Sequence, residues 1–337
     1  MRRRRSKARL AAGALCAALA LSACGSGHAT PASAAASSRV SAGSGGSPGL
    51  VSTPAGEPSG SPAQQTPTPS PTPPLVPNFR HVYVIVMENK EYSSIVGSAA
   101  APYINSLIAR YGLATNFYGE SHPSEPNYIA MTSGGLQGTN SDGAYDLPVS
   151  NLFDQIEASG RTWHVYAQDY PGHCYTGSAF SGGVDGPGAA GEYARKHNPA
   201  ISYTSISGNP TRCAAITRLA GFDPAAANFE FVAPNQINDM HSSSTSVGDA
   251  FLKTFVPQIT GSPAFVDSIL FITWDEGDSS LHGGGHIATI AVTPGMPPGS
   301  RQDAQTNHYS LLRTIELAWG LPFLGQAQTA SALLFPW

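Results

Sequence analysis

HVYVIVMEN, residues 81–89, is an unbroken apolar run that stops on two polar residues. A run apolar at every place suits a parallel strand buried on both faces, and its carboxyl end delivers Glu88 and Asn89. SILFITWDEGD, residues 268–278, repeats the pattern and delivers Asp275 and Glu276, and HIATIAVTPG, residues 286–295, is a third such strand. ATNFYGE, TWHVYAQD and NFEFVAPN are shorter strands, the last one feeding QINDMH. Helical segments stand between them. APYINSLIARYG puts Tyr103, Leu107 and Ile108 on one face and closes on Gly112. NLFDQIEASG ends at Gly160, GDAFLKTFVPQI is broken near Pro257, and HYSLLRTIELAWG is the last helix. Residues 170–210 are loop-rich around SGGVDGPGAAG. Strands alternating with helices give an α/β fold: a mostly parallel central sheet covered by helices on both faces. In such folds the site lies beyond the carboxyl ends of the strands, where Glu88, Asn89, Asp275, Glu276 and residues 235–241 fall.

The first 77 residues are of another kind. MRRRR followed by LAAGALCAALAL is a basic stretch and a short apolar core, the order of an export signal over residues 1–23. LSAC, residues 21–24, resembles the bacterial lipoprotein cleavage site and makes Cys24 the lipidated first mature residue. Residues 24–77 are rich in Pro, Ser, Gly and Thr and read as a disordered tether. Residues 78–337 then form one large domain, exported and either lipid-anchored or released. With Cys16 and Cys24 accounted for, Cys174 and Cys213 form an even pair, expected as one disulfide outside the cytosol.

Residues 1–23 hold six of the 18 basic residues and no acidic ones, so 12 basic face 22 acidic residues in the mature chain, a net charge of −10 with histidines neutral. No Lys/Arg stripe survives, which argues against nucleic-acid binding. Membrane contact is expected only through the lipid anchor.

SHPSEPNYIAMTSG, residues 121–134, packs two serines, a histidine and two prolines ahead of a helix. Ser124 before Glu-Pro has the form of an N-cap, and taken alone the segment is a capped helix start. A helix start also presents unpaired amides to an anion, so a serine there can be a nucleophile whose phosphorylated form those amides hold. It lacks a base, which a metal bound to the oxygen would replace. Glu88, Asn89, Asp275 and Glu276 are oxygen donors for such an ion, and oxygen donors favour Mg²⁺, Ca²⁺ or Mn²⁺, with Zn²⁺ a further candidate. Asp239, His241 and His286 are either a second metal site or groups that serve the leaving oxygen, as is His122 beside the serine segment.

MENKEY, HPSEPNYIAMTSG, PNQINDMH, WDEGD and GGGHIATIAVTPG, in this order, resemble the bacterial phosphoesterase family of secreted acid phosphatases and phospholipases C, distant relatives of alkaline phosphatase. The resemblance covers about Arg80 to Leu321 and implies an alkaline-phosphatase-like core. By position, Ser124 matches the family nucleophile, Glu88 and Asn89 its metal ligands, and Asp275 and Glu276 its paired acidic ligands. The family often carries Asp where Glu276 stands. Asp239, His241 and His286 match more loosely. The resemblance implies phosphomonoester hydrolysis through a phosphoserine, with a divalent metal, on small or phosphoinositide monoesters. His286, His241 or His122 would donate the leaving-group proton, which suits an acid pH optimum. A phospholipase C-type diesterase is the rival within the family. A non-catalytic, metal-binding surface lipoprotein is the rival outside it.

Overall fold

The computed structural model describes residues 75–182, 185 and 192–337. The segments read as export signal, lipidated Cys24 and tether, up to residue 74, and most of SGGVDGPGAAG lie outside the described residues. The last three residues assigned to the tether belong to the domain: Val76 is buried in its core and Leu75 O accepts from Trp337 Nε1 (3.0 Å).

The strands are β1 Val82–Met87, β2 Gly112–Tyr118, β3 Trp163–Ala167, β4 Ala179–Phe180, β5 Tyr193–Ala194, β6 Ile216–Arg218, β7 Phe229–Ala233, β8 Ile269–Trp274, β9 His286–Val292, β10 Ser300–Gln302 and β11 Thr306–Asn307. The helices are α1 Tyr92–Ile95, α2 Pro102–Arg110, α3 Glu125–Ser133, α4 Leu152–Ala158, α5 Thr204–Ser207, α6 Pro210–Cys213, α7 Thr245–Thr260 and α8 His308–Trp319. One sheet runs β10-β2-β9-β8-β1-β7-β3-β6, with β11 extending beside β2, and β4 and β5 form a separate pair. Every pairing in the large sheet is parallel except those of β9, which runs antiparallel to both β8 and β2. All residues of β1 and β8 are buried, as strands packed on two faces must be. Two helix groups flank the sheet, α2 against α7 and α3 against α8 and α4.

Two helices differ from their sequence reading. The helix α7 runs through Pro257 to Thr260. Proline removes one backbone bond and crowds the preceding turn. The buried Phe255, Val256 and Ile259 on either side hold the last turn in place. In α2 the buried face is Ile104, Leu107 and Ile108, with Tyr103 half-buried, and Gly112 opens β2 rather than closing the helix.

Cys174 and Cys213 are joined by a disulfide with Cα atoms 5.7 Å apart. It staples the loop-rich stretch to α6.

Because β1, β2, β7 and β8 point the same way, their carboxyl ends meet at one edge. Met87 pairs with Trp274, so Glu88 and Asp275 leave the sheet side by side. Glu88 N donates to Asp239 O (2.8 Å) and Asp275 N to Met87 O (3.0 Å), which locks three strand exits together.

Candidate active site

Ser124 stands at the N-cap of α3 and is almost wholly buried, yet its hydroxyl makes no capping bond. It faces the strand ends instead. Its Oγ lies 3.0 Å from Glu88 Oε2, 3.2 Å from Glu276 Oε1 and 3.4 Å from Asn89 Oδ1. Asn127, one turn into α3, sets this approach. Its Oδ1 accepts from the amides of Glu120 (2.8 Å) and Ser121 (3.1 Å), and its Nδ2 donates to Ser121 O (2.8 Å). Asn89 takes a positive φ of 42°, which Asn tolerates better than most residues, and so turns back to the site. Its amide donates to Asp275 Oδ1 (3.1 Å) and its Nδ2 to Glu276 Oε1 (3.2 Å).

The charges are crowded. Burial, then Glu88 and Glu276, raises the Asp275 carboxyl well above the usual range. Burial pushes Glu276 up to about 7, with Glu88 adding to the rise and His122 opposing it. Burial also works against ionised Glu88, but the facing His197 outweighs it and brings Glu88 below its ordinary value. One hydroxyl hydrogen cannot satisfy three acceptor oxygens, and Asp275 Oδ2 is buried with no hydrogen-bond partner. An oxygen set of this kind fits a hard divalent cation, which would relieve both the repulsion and the orphaned oxygen.

Beyond Glu88 lies a group that sequence reasoning missed. The ring of His197, fully buried, bridges Glu88 Oε1 (3.2 Å) and Asp239 Oδ2 (3.1 Å). Burial would lower its pKa, but the two carboxylates push it up to about 10. Tyr128 stacks on this ring at 5.3 Å and donates its hydroxyl to Glu88 Oε1. The ligand atoms of Glu88, His197 and Asp239 all lie within 4.8 Å of one another. His197 ends a short 3-10 turn, Arg195–His197, in ARKHNPA, where nothing in local spacing separates it from a loop histidine; its only signal is a basic pair running into Asn-Pro.

The other predicted residues divide. His241 N donates to Asp239 Oδ1 (2.7 Å), and its ring lies 5.8 Å from that of His197. Its Nε2 is 3.2 Å from Lys196 Nζ, which also binds Asp142 (2.8 Å). His122 turns Nδ1 onto Glu276 Oε2 and lies with Nε2 3.0 Å from Ser279 O. His286 is not brought to Asp239 and His241. It stacks on Tyr92 at 4.2 Å and its Nε2 meets Thr115 O at 3.0 Å; β9 begins at the site edge, but β8 and β1 lie between it and β7, whose exit leads to Asp239 and His241. His308, at the start of α8, holds Asp275 O at 2.6 Å and is lowered by burial to about 4, a neutral structural histidine. Among the described residues no helix is long and apolar enough to cross a membrane.

Residues 98–322 match the Phosphoesterase family. A phosphatidylinositol-3-phosphatase of Mycobacterium tuberculosis is 32% identical over 271 residues, 78% of this chain and 84% of the relative. A probable acid phosphatase of Kluyveromyces lactis is 30% identical over 266 residues, 74% of this chain and 60% of the relative. An acid phosphatase of Aspergillus fumigatus is 28% identical over 267 residues, 76% of this chain and 58% of the relative. The chain thus spans less than two thirds of either fungal protein. Among solved structures, a Bacteroides thetaiotaomicron protein of glycosaminoglycan metabolism superposes with a TM-score of 0.51 at 11% identity, covering 73% of this chain and 78% of the other. An alkaline phosphatase superfamily protein of Vibrio parahaemolyticus gives 0.49 at 13% identity, over 76% and 72%. The first of these likenesses concerns the fold alone. With the match over two thirds of its length and relatives at this identity, the chain belongs to the phosphoesterase family, hydrolases that act on phosphoric esters.

Proposed function

We propose that this chain is an exported, metal-dependent phosphomonoesterase that works through a phosphorylated Ser124. The observation that carries the reading is the Ser124 hydroxyl, buried and turned from its helix cap into the oxygens of Glu88, Asn89 and Glu276. Those three residues, Ser124 and Asp275 would hold one divalent cation, with Mg²⁺, Ca²⁺ or Mn²⁺ favoured by the all-oxygen set. When bound, that ion lowers the pKa of the serine hydroxyl and neutralises phosphoryl oxygens.

The protein's own groups do the rest. Ser124 Oγ attacks phosphorus in line, held on course by Asn127 and the α3 start. His197 keeps Glu88 ionised and oriented, and Asp239 orients His197. We assign the leaving-group proton to His122, whose partly exposed ring borders the site through Glu276; delivery requires its Nε2 to leave Ser279 O. In the second half-reaction the same imidazole takes a proton from the water that cleaves phosphoserine.

The Mycobacterium tuberculosis relative supports a phosphoinositide monoester as one substrate, and the acid phosphatase relatives support small phosphomonoesters. The basic and apolar residues 1–23 support export, with Cys24 as the lipid site and residues 24–74 as the tether. The test is Ser124→Ala beside the wild-type domain, after metal analysis. The substrates are a chromogenic phosphomonoester, its diester counterpart and vesicles carrying phosphatidylinositol 3-phosphate. The reading expects Ser124-dependent turnover of monoesters; a variant that keeps most of its activity ends it.

A further inference from the structure

The Glu91 carboxylate has four donors, three at the start of the loop that follows Glu276 and one where that loop enters β9. Its Oε2 accepts from Asp278 N (2.8 Å) and Ser279 N (3.1 Å). Its Oε1 accepts from Ser279 Oγ (3.0 Å) and His286 N (3.1 Å). The donors thus come from both ends of the loop 277–286. Two of the four glycines of that loop approach the same carboxylate. A Cβ at Gly277 would collide with Glu91 Oε2, and one at Gly285 would come within 3.1 Å of it.

The loop is wired to the site on two sides. Glu276 directly precedes it. Ser279 O meets His122 Nε2 at 3.0 Å, and the other nitrogen of His122 faces Glu276. Gly277 N donates to Gly284 O (2.7 Å), and Gly284 N donates to Gly119 O (3.1 Å), at the exit of β2 that leads to Ser124. Glu91 itself follows Asn89 by two residues. One carboxylate therefore ties the exits of β1, β8 and β2.

We infer that Glu91 is a positioning residue: through the loop it grips, it fixes the Glu276 carboxylate and the His122 ring relative to Ser124. Its role in the reaction rests on the function proposed above. Glutamine at this position would not be equivalent, because only one of its two terminal atoms can accept, and two of the four donors would lose their partner. A loop fastening with no part in the site would move stability alone, so the test reads other quantities.

The test compares wild type, Glu91→Ala, Gly277→Ala and the double variant. Amide exchange of the metal-free protein, Mn²⁺ affinity by titration, and kcat and KM on a chromogenic phosphomonoester are measured. Glu91→Ala is expected to expose the amides of Asp278, Ser279 and His286 to exchange and to weaken Mn²⁺ about 10- to 100-fold, the usual loss when support behind a metal ligand is removed. With Mn²⁺ saturating, kcat should fall about tenfold while KM moves less than about threefold. Gly277→Ala should give the same losses, because the added methyl group displaces the carboxylate. In the Glu91→Ala background it should add less than about twofold, since the obstacle is gone. Mn²⁺ affinity within about twofold of wild type in both single variants, or losses that add in the double variant, would overturn the inference. Should the alanine variants fail to fold, Glu91→Gln decides: an intermediate loss supports the role, and wild-type affinity overturns it. Should wild type bind none of Mn²⁺, Mg²⁺, Ca²⁺ and Zn²⁺, the proposed metal site falls, and the grip is decided by exchange alone. Unchanged exchange at the three amides in Glu91→Ala then overturns it too.

Discussion

A serine at a helix start ordinarily turns its oxygen to the amides of the first turn. Ser124 makes no such bond: Glu125 N goes to Asp142 Oδ1 (3.1 Å), Pro126 has no donor, and the Ser124 hydroxyl turns to three side-chain oxygens. Ser124 thus stands at the N-cap position without capping, and the direction of its side chain is what distinguishes a cap from the proposed nucleophile. His197 is the residue on which the surrounding charge depends. Two buried carboxylates face its ring, and removing one partner of such a set leaves charge uncompensated. For His197→Ala we expect a loss of about 3–5 kcal/mol in stability. Thermal unfolding should show a lowered midpoint, partly restored by millimolar Mn²⁺. Tyr128→Phe is milder: it removes one donor from Glu88 Oε1, and about a tenfold weaker metal affinity is expected by titration.

At the scale of elements, α3 is buried along its whole length, so both of its ends are constrained. Its carboxyl end closes on Gly134, left-handed at φ 72°, where a Cβ would collide with the carbonyl of Leu324. Gly160, beyond α4, has a similar φ of 79° but open space around it. Gly160→Ala should cost about 1 kcal/mol, the conformational term alone. Gly134→Ala should cost clearly more, because backbone must also move. Denaturant unfolding of the two variants measures the difference, and equal losses would mean that α3 and the segment at Leu324 can separate freely. Strand direction belongs to this scale too. HIATIAV reads as a buried strand whichever way it runs, so its antiparallel course was hidden; so was the strand order, which sets β8 and β1 between His286 and the β7 exit that carries Asp239 and His241.

Over the whole molecule, several carboxyl groups are buried away from the site. Burial pushes Glu230 up to about 8 and Glu316 up to about 7. In each, one carboxyl oxygen accepts from a backbone amide and the other has no hydrogen-bond partner. Their folded values lie above the ordinary 4.5, so between about pH 4.5 and 8 the native state holds protons that the unfolded chain has lost. The stability they contribute is complete below pH 4.5 and falls as pH rises through 7 and 8. The thermal midpoint of the metal-free domain should be several degrees higher at pH 5 than at pH 8, and Glu230→Gln should flatten that slope. The Cys174–Cys213 disulfide acts on the same balance from the unfolded side. Its 39-residue separation corresponds to about 3–4 kcal/mol of loop-closure entropy, so reduction should lower the midpoint at both pH values alike.

The sequence by itself determined what local burial can write. Runs such as VYVIVM and ILFITW must be two-faced strands, their parallel packing forces polar strand ends to one edge, and Glu88, Asn89, Asp275 and Glu276 occupy those ends. Only the tertiary structure decided which distant groups complete the arrangement. His197 enters from a short 3-10 turn, Lys196 reaches His241 beside it, Glu91 turns to a loop nearly 190 positions away, and Pro257 stays inside a helix. Periodicity reports how one segment meets the core. Which side chains converge depends on strand direction and on the packing of segments far apart in the chain, and neither leaves a mark on local spacing.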